Sequence, residues 1–412
     1  MNTWETIEFG SAPFDIIDGD RGKNYPKQDE FLDTGFCLFL NAANVTRNGF
    51  DFARYQFITE QKDNVLRKGK LKRNDVVLTT RGTIGNSAFF NTSIPFEHMR
   101  INSGMVILRC NKEMILPAYL YHYLRSPQFH GQVNSLRSGV AQPQLPIRDM
   151  RHIKLPLPKL PIQQAISDIL SAYDDLIENN RRRIQLLEES ARLLYREWFV
   201  RLRFPDHEHI KIIAGVPEGW EKKKIAETTD TYGGGTPSTK VSEYWVGGNI
   251  TWFIPKDLSN NDCLVLLGSE KKITEEGLKK SSAKMLPPET ILMTSRASIG
   301  YFGLYDGAAC TNQGFISIVP RKNFLKLYLL HNLMGRKEEI LSRAGGTTYK
   351  EINKTTFRNM SLAIPPDHLL KQFDSFAYDV VKQVRILKKQ EAALKQARDL
   401  LLPRLMNGEI EV

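Results

Sequence analysis

Cysteine is scarce in this sequence of 412 residues. Cys37, Cys110, Cys263 and Cys310 lie far apart and never form a C-x-x-C pair. That argues against zinc and against a disulfide scaffold, and it fits a reducing cytoplasm. Long apolar runs are also missing. No window approaches the ~20 apolar residues of a membrane span, and the N-terminus has no signal-peptide h-region. No G-x-x-x-x-G-K-[ST] loop is present to cradle a nucleotide phosphate. The nearest approach, Gly233-Gly234-Gly235-Thr236-Pro237, has neither the lysine nor the spacing, and its proline removes a backbone donor. It reads as a tight turn, facing an anion at most. The Asn- or Asp-Pro-Pro-aromatic loop of an adenine methylase is absent too, since the Pro-Pro steps are Pro287-Pro288-Glu289 and Pro365-Pro366-Asp367.

Two weak catalytic patterns remain. Pro205-Asp206 with Glu221-Lys222-Lys223 imitates the carboxylates and lysine that hold Mg²⁺ at a phosphate. These residues flank a Pro/Gly-marked segment instead of lying on adjacent strands. His207-x-His209 lacks a third ligand at useful spacing, and no Ser/His/Asp or Cys/His pairing stands out. The expectation is a reader without catalytic residues, metal or cofactor of its own.

What the chain has in quantity is positive charge and repetition. Lys and Arg number 57 against 46 Asp and Glu, for a net charge of +11. That balance favours a polyanionic partner, nucleic acid above all. Thr80-Arg81-Gly82-Thr83-Ile84-Gly85 returns as Ser295-Arg296-Ala297-Ser298-Ile299-Gly300. Trp4, Ile58-Thr59-Glu60, Asn102-x-Gly104, Tyr119-Leu120-x-His122 and Leu157-Pro158 recur, in order, at Trp220, Ile273-Thr274-Glu275, Asn312-x-Gly314, Tyr328-Leu329-x-His331 and Ile364-Pro365. The offset drifts only from 216 to 207. A period this long is a duplicated domain, since solenoid repeats run ~20–50 residues.

Within each half, short β-branched and aromatic runs predict strands at 36–40, 76–79 and 105–108, then at 250–254, 291–294 and 315–319. Helices follow, one opened by Pro117 and one over 324–334. Each half is thus a compact α+β domain closed by a proline exit. After each exit comes a long amphipathic run. Ile162, Ile166, Ile169, Tyr173, Leu176, Asn180, Arg183 and Leu187 follow a 4-3 spacing, continued after one extra step of four by Ala191, Leu194 and Trp198. The second series is Leu369, Phe373, Phe376, Val380, Gln383, Leu387, Gln390, Leu394, Ala397 and Leu401. Each predicts a rod of ~60 Å that needs a partner for its stripe. The other copy is the natural one, with Asn180, Arg183, Gln383 and Gln390 as polar register residues. Antiparallel pairing would relate the two domains by a pseudo-twofold axis.

Along essentially its whole length the chain resembles the specificity subunit of type I restriction-modification enzymes. The resemblance rests on the start of each half, the Thr80–Gly85 motif and its echo, and Gly139-x-x-Gln142-Pro143-x-Leu145. It rests too on the proline exits and on Leu400-Leu401-Leu402-Pro403-Arg404-Leu405-Met406-Asn407-Gly408. It implies target recognition domains at 1–158 and 204–366, with coiled-coil spacer helices at 159–203 and 367–412. Double-stranded DNA would be read as an asymmetric bipartite site, one half per domain. Two modification (methylase) subunits and ATP-dependent restriction subunits would be the partners, and they would bring S-adenosylmethionine, ATP and Mg²⁺. A related fused or type IIB-like methylase/nuclease system, or a chain with its own metal-dependent nuclease site, are the alternative readings.

If the halves read different sequences, residues identical in both cannot account for the difference. Arg81 and Arg296, with Thr83 and Ser298 beside them, should build the scaffold or hold phosphates; buried ion pairs are the alternative for the arginines. Base readers are expected where the copies diverge nearby. These are Arg21, Lys23 and Asn24 against Thr236, Ser238 and Lys240, and Gln142, Gln144 and Arg148 against Thr348, Tyr349 and Lys350. Gln suits adenine and Arg suits guanine.

Overall fold

The structure is a computed structural model and describes residues 4–139, 143–213, 215–346 and 350–412. The chain forms two compact units, residues 1–176 with 394–412, and residues 177–393.

In the first unit a four-stranded sheet is formed by β1 (Phe14–Asp18), β2 (Val76–Thr79), β3 (Ser87–Phe89) and β4 (Met105–Cys110), in the spatial order β1-β4-β2-β3. All its pairings are antiparallel. Val76, Leu78, Val106 and Leu108 face one core, whereas Val77, Met105 and Ile107 face another. The sheet is covered on both faces, which is why β2 reads as an unbroken apolar run without alternation. A second small sheet pairs Cys37–Leu40 with Phe57–Ile58 and, in parallel, with Met99–Ile101. The entering strand Thr6–Glu8 pairs with the exit strand Lys154–Pro156. The proline exit therefore closes the domain before the chain turns into a helix.

The second unit repeats this plan. Its sheet contains β5 (Thr229–Gly233), β6 (Val265–Leu266), β7 (Ile291–Thr294), β8 (Phe302–Tyr305) and β9 (Phe315–Pro320), in the order β5-β9-β7-β8-β6. Thr294 stands opposite Phe315 as Thr79 stands opposite Met105. Glu221–Lys224 pairs with the exit strand Ser361–Ile364. The Gly233–Gly235 run closes against the fold's own backbone. A Cβ at Gly234 would lie 2.1 Å from the Asn312 carbonyl oxygen and one at Gly235 2.3 Å from Ser282 Oγ. The turn needs glycine for packing.

Two long helices, α1 (Leu160–Tyr195) and α2 (Asp367–Met406), run through these units. In the first unit the start of α1 (Ile166, Leu170) packs with the end of α2 (Leu402, Leu405, Met406) on the core of β1–β4. In the second, Ile184, Ala191 and Tyr195 meet Phe373, Val380, Val384 and Leu387. Start meets end in each, so the helices pair antiparallel. Several of the expected seam positions are buried, among them Ile166, Asn180, Ala191, Phe373, Val380 and Leu387, whereas the alternate ones lie one residue away. Gln163, Leu170, Ile177, Ile184 and Ala191 are buried, whereas Leu176 and Arg183 are exposed. On α2, Ala377, Val384 and Glu391 are buried, whereas Phe376, Gln383 and Gln390 are exposed. The corrected α1 series, 163-166-170-173-177-180-184-187-191-194-198, alternates three and four without the extra step. Adjacent apolar pairs such as Ile169-Leu170 and Leu176-Ile177 allow either register, and burial selects one. Of the four proposed polar register residues only Asn180 is buried. The polar seam is built instead from Arg181 with Glu391 at 2.9 Å and from Asp174 between Arg125 and Arg398.

Candidate nucleic-acid interface

At one end of each main sheet three separate loops are tied together by backbone hydrogen bonds. In the first unit the loop after β2 begins with Thr80 and Arg81, whose amides both donate to the Gly104 carbonyl at 2.8 and 3.2 Å. The Thr80 carbonyl accepts from the Leu145 amide at 2.9 Å, and Gln144 exchanges two hydrogen bonds with Ser138 at 2.9 Å. Asn102 Oδ1 accepts from the Gly104 amide at 2.9 Å and holds the receiving turn. The second unit reproduces this junction. The Ser295 amide donates to Gly314 at 2.8 Å, and the Ile352 amide to Ser295 at 3.1 Å. Glu351 exchanges hydrogen bonds with Gly345 at 2.8 and 3.0 Å, and Asn312 Oδ1 holds Gly314 at 2.9 Å.

Each arginine loop is also stapled from within. The Thr79 hydroxyl donates to the Thr83 carbonyl, and that of Thr294 donates to Ser298. The amides of Gly85 and Gly300 return to the carbonyls of Thr79 and Thr294 at 3.0 Å. The identical residues thus build a rigid loop, with Arg81, Gly82 and Thr83, and equally Arg296, Ala297 and Ser298, exposed on it. The arginines are not buried ion pairs. Arg296 Nε forms an ion pair with the half-exposed Glu351 carboxylate at 2.8 Å. Arg81 stands in a backbone bridge with Gln144.

The divergent loop after β1 joins this junction. Arg21 donates to the Ser103 carbonyl at 3.3 Å and to Asp18 at 3.1 Å. Thr236, in the corresponding place, donates to the Gln313 side chain. The first of these loops is fixed by the buried Asp20, which accepts from the Gly22 and Arg67 amides at 2.7 Å each. Donation from the Gly22 amide, helped by Arg67, holds its carboxyl below the usual carboxylate range against the opposing effect of burial. Lys23 is exposed, and Asn24 is half-buried with its amide on the Val65 carbonyl. Ser238 and Lys240 are exposed, the carbonyl of Ser238 accepting from the Trp245 indole at 3.0 Å. The Lys350 carbonyl accepts from the Ala297 amide at 3.2 Å, which places this exposed lysine on the second junction. Arg148 is set apart. It lies on the short helix Ile147–Met150 and pairs with neighbouring Asp149 at 3.0 Å, with no bond to the arginine loop among the described residues. Gln142, Thr348 and Tyr349 lie outside the described residues.

Sequence reasoning missed Glu351, Ser103 and Gln313. Glu351 was findable, because the offset of 207 at this end of the repeat sets it opposite Gln144. Ser103 and Gln313 occupy the variable position of Asn-x-Gly, and only the fold shows that loops dock there. The nuclease-like residues lie elsewhere. Asp206 sits in a left-handed turn of the connecting segment, and Glu221 pairs with Lys223 on an edge strand. Among the described residues no group of three His, Cys, Asp or Glu is arranged to hold a metal ion.

Both halves match one family model, the type I restriction modification DNA specificity domain, over residues 1–189 and 217–396. The chain belongs to this family. It is a DNA sequence-recognition subunit of the type I restriction-modification class. Over 461 aligned residues it is 22% identical to the HindI specificity subunit of Haemophilus influenzae, covering 95% of this chain and 98% of that one. The MjaIX specificity subunit of Methanocaldococcus jannaschii is 37% identical over 186 residues, a match that spans 43% of each chain. The EcoR124I/EcoR124II subunit of Escherichia coli is 26% identical over 335 residues, with 76% of this chain and 77% of that one covered. The crystal structure of the S subunit from M. genitalium shares the fold, with a TM-score of 0.60 at 14% identity over 98% of this chain and 96% of that one. No described helix is long and apolar enough to cross a membrane.

Proposed function

We propose that each unit reads one half of an asymmetric, bipartite duplex site through its three-loop junction. Arg81 and Arg296, with Thr83 and Ser298, hold phosphates. Arg21, Lys23, Asn24 and Gln144 face bases in one half-site, and Thr236, Ser238, Lys240 and Lys350 in the other. The carrying observation is that the same junction of backbone bonds occurs twice, with Arg81/Arg296, Asn102/Asn312 and Gly104/Gly314 identical in it and divergent residues around its rim. A shared frame can set position without setting sequence. The paired helices fix the spacer between half-sites. Methylase subunits, two in number, and ATP-dependent restriction subunits dock on this chain in the cytoplasm. They carry out the chemistry with S-adenosylmethionine, ATP and Mg²⁺.

The test is the double variant Arg81→Ala/Arg296→Ala. Each lost phosphate contact lowers the slope of log K against log salt by about 0.9, so the double variant should lose about 1.8. Affinity should fall on all duplexes alike, with the unfolding midpoint unchanged. Retention of wild-type sequence-specific affinity and salt slope would remove the arginines from the interface.

A further inference from the structure

The two junctions differ at one position that touches the shared arginine. Gln144 and Glu351 have the same backbone setting, each exchanging two hydrogen bonds with the loop before it and each bridged to the motif arginine. Their side chains are chemically unlike. Arg296 and Glu351 form an ion pair at 2.8 Å with side chains 47% and 39% exposed. At that exposure an ion pair adds little to stability, so the fold does not need the carboxylate. On a surface that meets a polyanion, the carboxylate would also be repelled by phosphates. Its presence calls for a partner that donates.

A carboxylate is an acceptor only, whereas an amide both donates and accepts. In the major groove the cytosine N4 amino group suits the carboxylate, and the N6/N7 edge of adenine suits the amide bidentately. The Nε–Oε1 contact leaves the terminal guanidinium nitrogens of Arg296 and the second oxygen of Glu351 without a bond among the described residues. The second oxygen is therefore available to a base while the arginine balances its charge.

Resting on the proposed reading of the junction as the DNA-facing surface, we propose that position 144/351 determines specificity. Glu351 accepts from a cytosine in the second half-site with Arg296 as counter-ion, and Gln144 reads an adenine at the equivalent place in the first.

The experiment exchanges the two residues in the full chain bound to its methylase subunits. Glu351→Gln and Gln144→Glu are near-isosteric and leave the backbone bonds in place. Preferred bases are read by competition among duplexes randomised in one half-site at a time, starting from the site that methylation-sensitive sequencing gives for the wild type. Glu351→Gln should move one base pair of the second half-site from C·G toward A·T by about tenfold in relative affinity, with the first half-site unchanged. Gln144→Glu should do the converse in the first. Unchanged preferences in both variants, or a uniform loss on every duplex, would overturn the proposal. The arginine double variant in the same assay separates the two ideas. If it abolishes binding while the exchanges move no base, only the assignment of position 144/351 falls. If it binds specifically as the wild type does, the reading of the junction falls as well.

Discussion

At the scale of single residues, the two copies expose the energetic cost of small differences. The motif's third residue sits in the left-handed region in both units, at φ 73° for Gly82 and φ 57° for Ala297. An L-residue with a Cβ is strained there by about 1–2 kcal/mol. Ala297→Gly should therefore stabilise the second unit by about 0.5–1 kcal/mol, once the extra freedom of glycine in the unfolded chain is subtracted. Gly82→Ala should destabilise the first by a similar amount. A Cβ there would meet only the Ala42 Cβ at 3.8 Å, so the dihedral angle and not a clash sets the cost. Urea melts of both variants would decide this, and a stabilising Gly82→Ala would contradict it. Glu188 is a second such case. Burial, with Asp262 nearby, pushes its carboxyl up to about 7 despite donation from the Leu264 amide and the charge of Lys388. The folded chain therefore holds a proton that the unfolded chain releases above about 4.5, and stability falls as pH rises through this window. Glu188→Gln should be more stable than the wild type by about 1–3 kcal/mol at pH 8, with the advantage vanishing near pH 4. His331 and His122, kept neutral by burial with values lowered to about 4 and about 3, act oppositely below pH 6.5. The pH dependence of the difference between variant and wild type is the clean reading, because the histidines cancel in it.

At the scale of the element, the long helices show which part of a pattern a sequence determines. Their existence and length follow from the period. Their register does not, because Leu176-Ile177 and Phe376-Ala377 present apolar side chains in both registers, and only a packed partner separates them. The residues that decide are polar. Glu391 is buried against Arg181, a placement that the series through Gln390 excludes. Alanine substitutions should report the true seam. Ile184→Ala removes a buried side chain and should cost about 2–4 kcal/mol. Its neighbour Arg183→Ala should change stability by less than about 0.5 kcal/mol, as exposed substitutions do. Equal costs for the two, measured by chemical denaturation, would restore the register that the spacing suggested. The short sheets were illegible for a different reason. Phe57–Ile58, Lys272–Ile273 and Cys310–Thr311 are strands of two residues, too short for alternation to appear.

At the scale of the molecule, the duplication made the architecture and the frame of the three-loop junction readable, since repeated residues mark what both halves must build. The rim was less readable. Arg21 meets Ser103, and Gln144 and Leu145 meet Arg81 and Thr80, across long sequence separations, and the divergence of these loops removes the cue that identity supplies elsewhere. The packing also refines how a recognition unit should be exchanged. Residues 1–158 end at the proline exit, but their core continues through Ile166 and Leu170 into Leu402, Leu405 and Met406. Transplanting a relative's residues 1–158 alone would set a foreign core against native helices, at a cost of several kcal/mol for mismatched buried side chains. Transplanting the equivalents of 1–176 together with 394–412 carries the core intact. Both chimeras should move one half-site and leave the other, as methylation-sensitive sequencing would show, and the larger exchange should unfold at the higher denaturant concentration. If both half-sites moved together, sequence reading would not be divided between the units. If the smaller exchange proved the more stable, the helices would contribute less to each unit's core than their buried residues indicate.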